Sequence, residues 1–374
     1  MKKNILYFED VFGWGGIETF MSNVFMYMDK NKVNISLVVV TKITNHFDKL
    51  LSEQNINTTV LLEGEQNNPV HRVRHGLVAF KKYLENKKND IDAIHFNISN
   101  SVDMLYVMVA KKCGIKYRIV HSHNSFATSN VKTIAHYVLK PIVKKAPTHY
   151  FACSDKAAKW LFGKNIYQEK KYYLIKNAVN TEHYKYNSVE RANLRHQYGL
   201  EGKFIVGHVG RFNEQKNHKY LIDIYEKIYQ LNKNAILILI GEGELRKEIE
   251  KYVKEKSLTD KVIFWGSSSE VYKLLWMMDI FVLPSLYEGL PFVLVESQAA
   301  SLASVVSDTI TKEVNISKYI SYVKLESNPE IWANEIIKNA RVKREDNSKA
   351  LIDSGFDLKT MIERLCEIYL KIIL

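Results

Sequence analysis

Cysteine is scarce and scattered: Cys113, Cys153 and Cys366 are the only three in 374 residues. An odd number, far apart and without metal-ligand spacing, speaks against a disulfide scaffold or a zinc module and leaves reduced, buried thiols. No apolar run approaches the roughly 18 to 20 residues a membrane span requires. Glu9 and Asp10 interrupt the amino-terminal segment before a signal-peptide core forms, so the chain is expected in the cytosol. Low-complexity tracts and short-period repeats are absent as well. No finger, homeodomain, RNA-recognition or basic-zipper pattern accompanies the positive charge, which makes nucleic acid the weakest candidate partner.

What is present fits a folded α/β protein. Apolar residues make up 46% of the chain and charged ones 25%, the balance of a soluble globular protein. The length suits two domains. The net charge of +12 lies wholly in the first half: residues 1–187 hold 27 Lys and Arg against 15 Asp and Glu, while residues 188–374 hold 26 of each. Such a surface suits a phosphorylated acceptor or an anionic lipid face, or is simply a solvated lysine-rich exterior. Short apolar runs alternate with helical patterns throughout, which predicts parallel sheets covered by helices. Strands are expected near residues 4–8, 35–40, 59–62, 93–96, 118–121 and 149–153, then near 204–209, 235–240, 262–265, 280–283 and 304–307. That pattern describes two doubly wound units in series, over residues 1–185 and 186–356. Their join falls in "IKNAVNTEHYKYNSVE", where apolar periodicity lapses. In the tail, residues 357–374, Ile362, Leu365, Tyr369 and Ile372 recur at helical spacing and must pack on something. Spacing does not say on which domain.

Chemistry concentrates at strand ends. In "DIFVLPSLYEGLPFVLVESQAAS" an apolar strand stops at Pro284, a loop carries Glu288, Gly289 and Leu290, and Pro291 stands at a favourable first helical position before Glu296. The loop therefore sits at the carboxyl edge of a parallel sheet, where open α/β folds bind ligands. A helix start there suits a phosphate, Glu296 can accept from a ribose diol, and Glu288 can hold a sugar hydroxyl. The same eight-residue interval recurs at Glu182/Glu190, in the join, and at Glu242/Glu250, on a charged helix, so context and not spacing singles out 288/296. "GHVGRFNEQKNHKYL" adds Arg211 and Lys216 after another strand, two cations able to clamp a diphosphate and stabilise its departure.

The remaining motifs are weaker. "FGWGGIE" places Gly13, Gly15 and Gly16 between a strand and a helix, which permits close backbone approach to an anion, or a plain tight turn. It lacks a Walker lysine and the G-x-G-x-x-G fingerprint, which removes support for ATP or NAD. In "IVHSHNS", His121 and His123 share one face of a strand end and could orient a sugar hydroxyl or contact an acceptor, with His95 a lesser candidate. "GEGE" resembles a phosphate-side turn, and Ser267 to Ser269 are expected to cap a helix.

Taken in order, "GWGGIE", "HSHN", "IKNAVN", "GRFNEQKN", "GEGE", "WGS" and "YEGLPFVLVES" resemble family 4 of the retaining glycosyltransferases, especially the branch that builds bacterial capsular and exopolysaccharides. The resemblance covers nearly the whole chain. It implies a GT-B fold, two Rossmann-like domains facing across a cleft, with an acceptor-binding first domain, a donor-binding second, and a last helix that returns to the first. By position it implies that Arg211 and Lys216 hold the donor diphosphate, Glu296 the ribose and Glu288 the donor sugar. Gly15 and Gly16 match the loop that closes over the phosphates, Gly289 and Leu290 lie in the donor loop, and His123, with His121 as the alternative, matches the histidine near the reaction centre. Further expectations are a nucleotide-sugar donor, most simply UDP-linked, no metal or other cofactor, and a saccharide acceptor carried on undecaprenyl or a similar lipid. Peripheral contact with the inner face of the cytoplasmic membrane follows from the basic first domain. In "NVKTIAHYVLKPIVKK" the stripe of Ile134, Tyr137, Val138, Pro141 and Ile142 beside Lys132, Lys140, Lys144 and Lys145 reads equally as a membrane face or a core face. The sequence departs from the family at Ala178 and Asn180, where Gly and Asp are common, and at Ser301 and Ala303, where Gly and Pro are. Two competing readings are a nucleotide-sugar epimerase on the same fold and a non-catalytic donor-binding subunit of a polysaccharide assembly complex.

Overall fold

The computed structural model describes residues 2–13, 15–64, 68–124, 130–288 and 290–373, without the side chains of residues 130–132. The chain divides into two compact units, Met1–Asn177 with Leu358–Leu374, and Ala178–Asp357.

The first unit is a parallel sheet of seven strands: β1 (Lys3–Phe12), β2 (Val33–Lys42), β3 (Asn57–Val60), β4 (Ala93–Ile98), β5 (Tyr117–Ser122), β6 (His149–Ala152) and β7 (Tyr172–Leu174). Their order is β3-β2-β1-β4-β5-β6-β7. The central strands are apolar on both faces because helices cover both. Helix Pro69–Lys87 makes the long crossover from β3 to β4. Its start is well signalled, with Asn68 accepting from the Val70 and His71 N–H groups and Pro69 in the first turn. Gly76 is required inside it, since a Cβ there would stand 2.5 Å from the Tyr106 hydroxyl and 2.6 Å from Val40. Helix Leu358–Ile372 buries Ile362, Leu365, Tyr369 and Ile372 in this unit. The Tyr369 hydroxyl shares hydrogen bonds with Tyr7 (2.5 Å) and with His95 Nδ1 (2.6 Å), so three distant segments meet at one polar point in the core.

The second unit has six strands, β8 (Phe204–Val209), β9 (Ala235–Ile240), β10 (Val262–Gly266), β11 (Ile280–Leu283), β12 (Ser304–Ser307) and β13 (Ile320–Val323), in the order β10-β9-β8-β11-β12-β13. In both sheets the first strand lies beside the fourth, and strand order reverses at that place. The division between units falls at residue 177 rather than 185 because the segment after it is tied into the second unit. Val179 N–H donates to Phe356 O (2.9 Å), the Thr181 hydroxyl to Asp357 (2.7 Å), and the Trp276 indole N–H to Tyr184 O (2.9 Å).

Strands β7 and β13 are additions to the sequence-based expectation. Each lies at a sheet edge, is only three or four residues long, and is partly exposed, so neither carries the continuous apolar run that marks the inner strands. The glycines of "GEGE" have a packing role. Gly241 and Gly243 take φ of 135° and 159°, and a Cβ at Gly243 would stand 2.4 Å from the Phe212 carbonyl oxygen. Gly243→Ala is therefore expected to lower unfolding free energy by about 2 kcal/mol or more, from strain and overpacking. Urea unfolding checks this, and an unshifted midpoint would count against it.

Candidate functional site

Strands β8 and β11 flank the reversal point of the second sheet, and the loops that leave their carboxyl ends are knitted together. After β8 the chain passes Gly210 and Arg211 into a 3-10 turn, Glu214–Lys216, held by Asn213, whose side chain accepts from the Lys216 N–H. Asn217 then takes a left-handed φ of 56° and donates from its amide to Pro284 O, 3.2 Å away in the β11 loop. Leu286 N–H returns a bond to Gln215 O at 2.8 Å. This framework places Lys216 Nζ 2.5 Å from Glu288 Oε1, with both side chains largely buried. Ser285 Oγ–H donates to the same carboxylate oxygen at 2.8 Å and Gln215 Nε2 to the other at 3.0 Å. Glu288 thus has its oxygens oriented by three donors from two loops. Gly210 makes room for the lysine stem, since a Cβ there would lie 3.1 Å from both Lys216 Cδ and Cε. Beneath it His208 and His218 are buried and held neutral by desolvation first, with the Lys216 ammonium adding to the effect.

Arg211 behaves differently. It is 71% exposed and pairs with Glu244 at 3.2 Å, so its ion pair is separate from that of Lys216. Glu296 lies in helix Phe292–Ala299, whose first helical residue is Phe292; Pro291, with ψ of 106°, is the residue just before it. The Tyr184 hydroxyl donates to Glu296 Oε1 at 2.5 Å. Burial raises the Glu296 pKa to about 7 against the lowering effect of that bond. After this helix Ser301 takes φ of 52° and its hydroxyl donates to Glu345 O at 2.6 Å, so the turn usually made by glycine is made here by serine with a side-chain anchor. Leu290 is half-buried beside Pro291, and Gly289 lies outside the described residues.

The first unit brings the other predicted residues to its own carboxyl edge. Gly15 precedes helix Gly16–Tyr27 without a side-chain cap and in extended conformation, and nothing lies within 4 Å of a Cβ built at Gly16. The loop is pinned by buried Glu18, which accepts from Gly13 N–H at 2.7 Å. His123 shares a hydrogen bond with Asn97 Oδ1 at 2.9 Å and its ring lies 4.0 Å from that of His121. His121 in turn meets His95 at 3.3 Å, which continues to Tyr369 and Tyr7. Burial depresses the His123 pKa to about 3, so this residue is a neutral hydrogen-bonding group and not a proton donor at neutral pH. A cavity of about 780 Å³ opens on this edge, reached by Glu9, Asp10, Arg72 and Asn97 and walled by Leu77 and Val102.

Several partners escaped sequence reading. Gln215 and Ser285 lie inside quoted motifs without being singled out, and Tyr184 is 112 positions from the carboxylate it meets. Ser268 does not cap the helix Val271–Met277. Its hydroxyl accepts from the N–H of Glu270, the residue before the helix, and not from an N–H inside the helix's first turn. Glu242 and Glu250 both clamp Arg246 and form a solvated charge cluster. The stripe on helix Asn130–Val143 faces outward, with Ile134, Tyr137, Val138 and Ile142 each at least 60% exposed, which overturns the core-face alternative. Lys132 lies among the side chains not described. No helix among the described residues is long and apolar enough to cross a membrane.

Residues 190–349 match the family described as Glycosyl transferases group 1. Over nearly its full length the chain is similar to EpsF of Bacillus subtilis (strain 168), a glycosyltransferase by name, at 28% identity over 98% of this chain and 96% of that one. It is 23% identical to the UDP-Gal:alpha-D-GlcNAc-diphosphoundecaprenol alpha-1,3-galactosyltransferase of Escherichia coli, over 79% of each. The crystal structure of Anabaena Alr3699/HepE in complex with UDP is similar with a TM-score of 0.77 at 18% identity, covering 100% of both chains. That likeness shows the fold, the pair of Rossmann-like parallel-sheet domains called GT-B.

Proposed function

From the premise that this chain is a glycosyltransferase with a group 1 domain, of the kind that builds capsular and extracellular polysaccharides, we propose that it moves a sugar from a UDP-sugar to a lipid-linked saccharide with retention of configuration. The observation that carries the reading is the Lys216–Glu288 pair at the reversal point of the second sheet. There Lys216, joined by Arg211 once it leaves Glu244, neutralises the donor diphosphate, so the charge that grows on the leaving group is met by side chains without a metal ion. Glu288, held by three donors, accepts from a hydroxyl of the donor sugar, and Glu296 accepts from the ribose diol. The acceptor hydroxyl attacks the anomeric carbon on the face from which the diphosphate departs. A new glycosidic C–O bond forms as the sugar–phosphate C–O bond breaks, and the acceptor proton passes to a departing phosphate oxygen. On the first unit, Gly15 and Gly16 leave uncapped helix N–H groups that suit an anion, and neutral His123 suits orienting a hydroxyl.

A lipid-linked acceptor is supported by the name of the Escherichia coli relative, a diphosphoundecaprenol galactosyltransferase, and by the outward stripe on helix Asn130–Val143, which lies beside exposed Lys144 and Lys145. Apolar residues at that density flanked by lysines suit an anionic membrane surface. The test supplies UDP- and GDP-sugars with simple glycosides or undecaprenyl-diphosphate sugars in anionic vesicles, with EDTA present. Transfer from one UDP-sugar to give a product of unchanged anomeric configuration is expected, together with loss of vesicle binding in Tyr137→Asp/Val138→Asp. Inversion, a requirement for divalent ion, or proton exchange into the sugar without transfer would overturn the reading.

A further inference from the structure

Among the described residues of the first unit, Glu9 Oε2 and Asn97 Nδ2 are two of several buried polar atoms without a hydrogen-bond partner, along with His121 Nε2 and His123 Nδ1. Glu9 and Asn97 are 6% and 3% exposed. Strands β1 and β4 pair in register, Tyr7 with His95 and Phe8 with Phe96, so Glu9 and Asn97 stand one step past the last paired position. Alternation along a strand puts Glu9 on the face of Tyr7 and Asn97 on the face of His95, and those two rings stack at 4.7 Å. The two orphaned groups are therefore side by side on one face, at the place where strand order reverses and open α/β sheets leave a crevice. The cavity of about 780 Å³ reaches both.

The surroundings define what fits there. The other amide atom of Asn97, Oδ1, is engaged by His123 Nε2, which leaves the buried NH₂ group as the one without a partner among the described residues. Asp10 is taken up by Arg72 at 3.0 Å and by the Tyr106 hydroxyl at 3.2 Å. Burial, and then the carboxylates of Glu18, Asp10 and Asp103, push the Glu9 pKa up, which favours a neutral carboxyl able both to donate and to accept. Val73, Leu77, Val102 and Leu139 supply apolar wall. Arg72 is already paired with Asp10 and Glu9 is neutral, so the two orphaned groups offer hydrogen bonds rather than charge and suit an uncharged ligand. A buried donor beside a buried carboxyl, under an apolar wall, complements the hydroxyls and C–H face of a sugar ring.

We propose that Glu9 and Asn97 form a hydroxyl-reading subsite that selects the terminal sugar of the acceptor. It rests on the glycosyl-transfer reading above and adds the residues that set acceptor specificity. The experiment uses the full chain with its best donor and a panel of alkyl hexosides and N-acetylhexosaminides, each with its monodeoxy analogues. Wild type is expected to discriminate against one deoxy analogue by at least tenfold. Glu9→Gln and Asn97→Asp, the latter keeping the Oδ1 that holds His123 while removing the NH₂ group, are expected to raise acceptor KM about tenfold and to erase that discrimination, with hydrolysis of donor in the absence of acceptor little changed. Both replacements match the original side chain in size, and either one that folds is enough for the test. Wild-type transfer with unchanged KM and discrimination in the variants overturns the subsite alone. No transfer by wild type from any donor overturns the underlying reading and the subsite with it.

Discussion

Replacing Lys216 with alanine is expected to slow sugar transfer by a factor of about one hundred to one thousand, the cost of removing one preorganised group that meets developing charge, about 3 to 4 kcal/mol. The lysine is held in place before any ligand arrives: Glu288 grips its ammonium at 2.5 Å, and the absence of a side chain at Gly210 gives its stem a channel. Little reorganisation is then needed when the diphosphate binds. The same pairing creates a second effect. Glu288 is mostly buried, so Lys216→Ala strands a carboxylate that retains only its Ser285 and Gln215 donors, and breaking such a pair typically costs about 3 to 5 kcal/mol of stability. The double variant Lys216→Met/Glu288→Gln separates the two. It is expected to recover most of the melting temperature and none of the turnover. Single-turnover rates and thermal melts on the same samples decide the matter: turnover within threefold of wild type in Lys216→Ala would remove the lysine from the reaction.

That pair also shows what a sequence conveys and what it withholds. The strand before each loop is legible because inner parallel strands are apolar on both faces, and the loop positions of Lys216 and Glu288 follow from where those runs stop. Strand order is another matter. Lys216 and Glu288 meet because β8 lies beside β11, with two strands intervening in sequence, and nothing in the apolar pattern states that adjacency. Tyr184 and Glu296, and Glu9 and Asn97, are likewise joined by topology across long intervals. Exposure is withheld for a similar reason. The stripe of Ile134, Tyr137, Val138 and Ile142 has the same helical period as the buried stripe of helix Leu358–Ile372, and only the packed structure shows one turned out and the other turned in. The turn at Ser301 departs from the family in sequence yet keeps a left-handed φ, because a hydroxyl bond to Glu345 O holds a conformation that glycine would adopt freely.

Glu296 supplies the other large effect, in donor affinity and its pH dependence. Its pKa is raised from 4.5 to about 7 by burial, so at neutral pH only about half of the molecules carry the carboxylate. A ribose diol donates hydrogen bonds, and the ionised form receives them better. Donor binding should therefore strengthen as pH rises, by about tenfold between pH 6 and pH 8, as the ionised fraction climbs from about one tenth to about nine tenths. Folding stability measured without donor runs the opposite way. Above pH 4.5 the unfolded chain has released this proton while the folded chain keeps it, so the group's contribution to stability declines from pH 4.5 through pH 7 and is lost above it. Glu296→Gln should flatten both trends, and Glu296→Ala should weaken UDP binding about tenfold or more. Tyr184→Phe removes the donor that lowers the pKa, and so is expected to shift the binding midpoint upward without abolishing binding. Calorimetric titration of UDP across this pH range, with wild type, both Glu296 variants and Tyr184→Phe, reads the affinities, and thermal melts of wild type and Glu296→Gln over the same range read the stability trend. An affinity that is flat in the wild type, or that falls as pH rises, would remove Glu296 from the ribose.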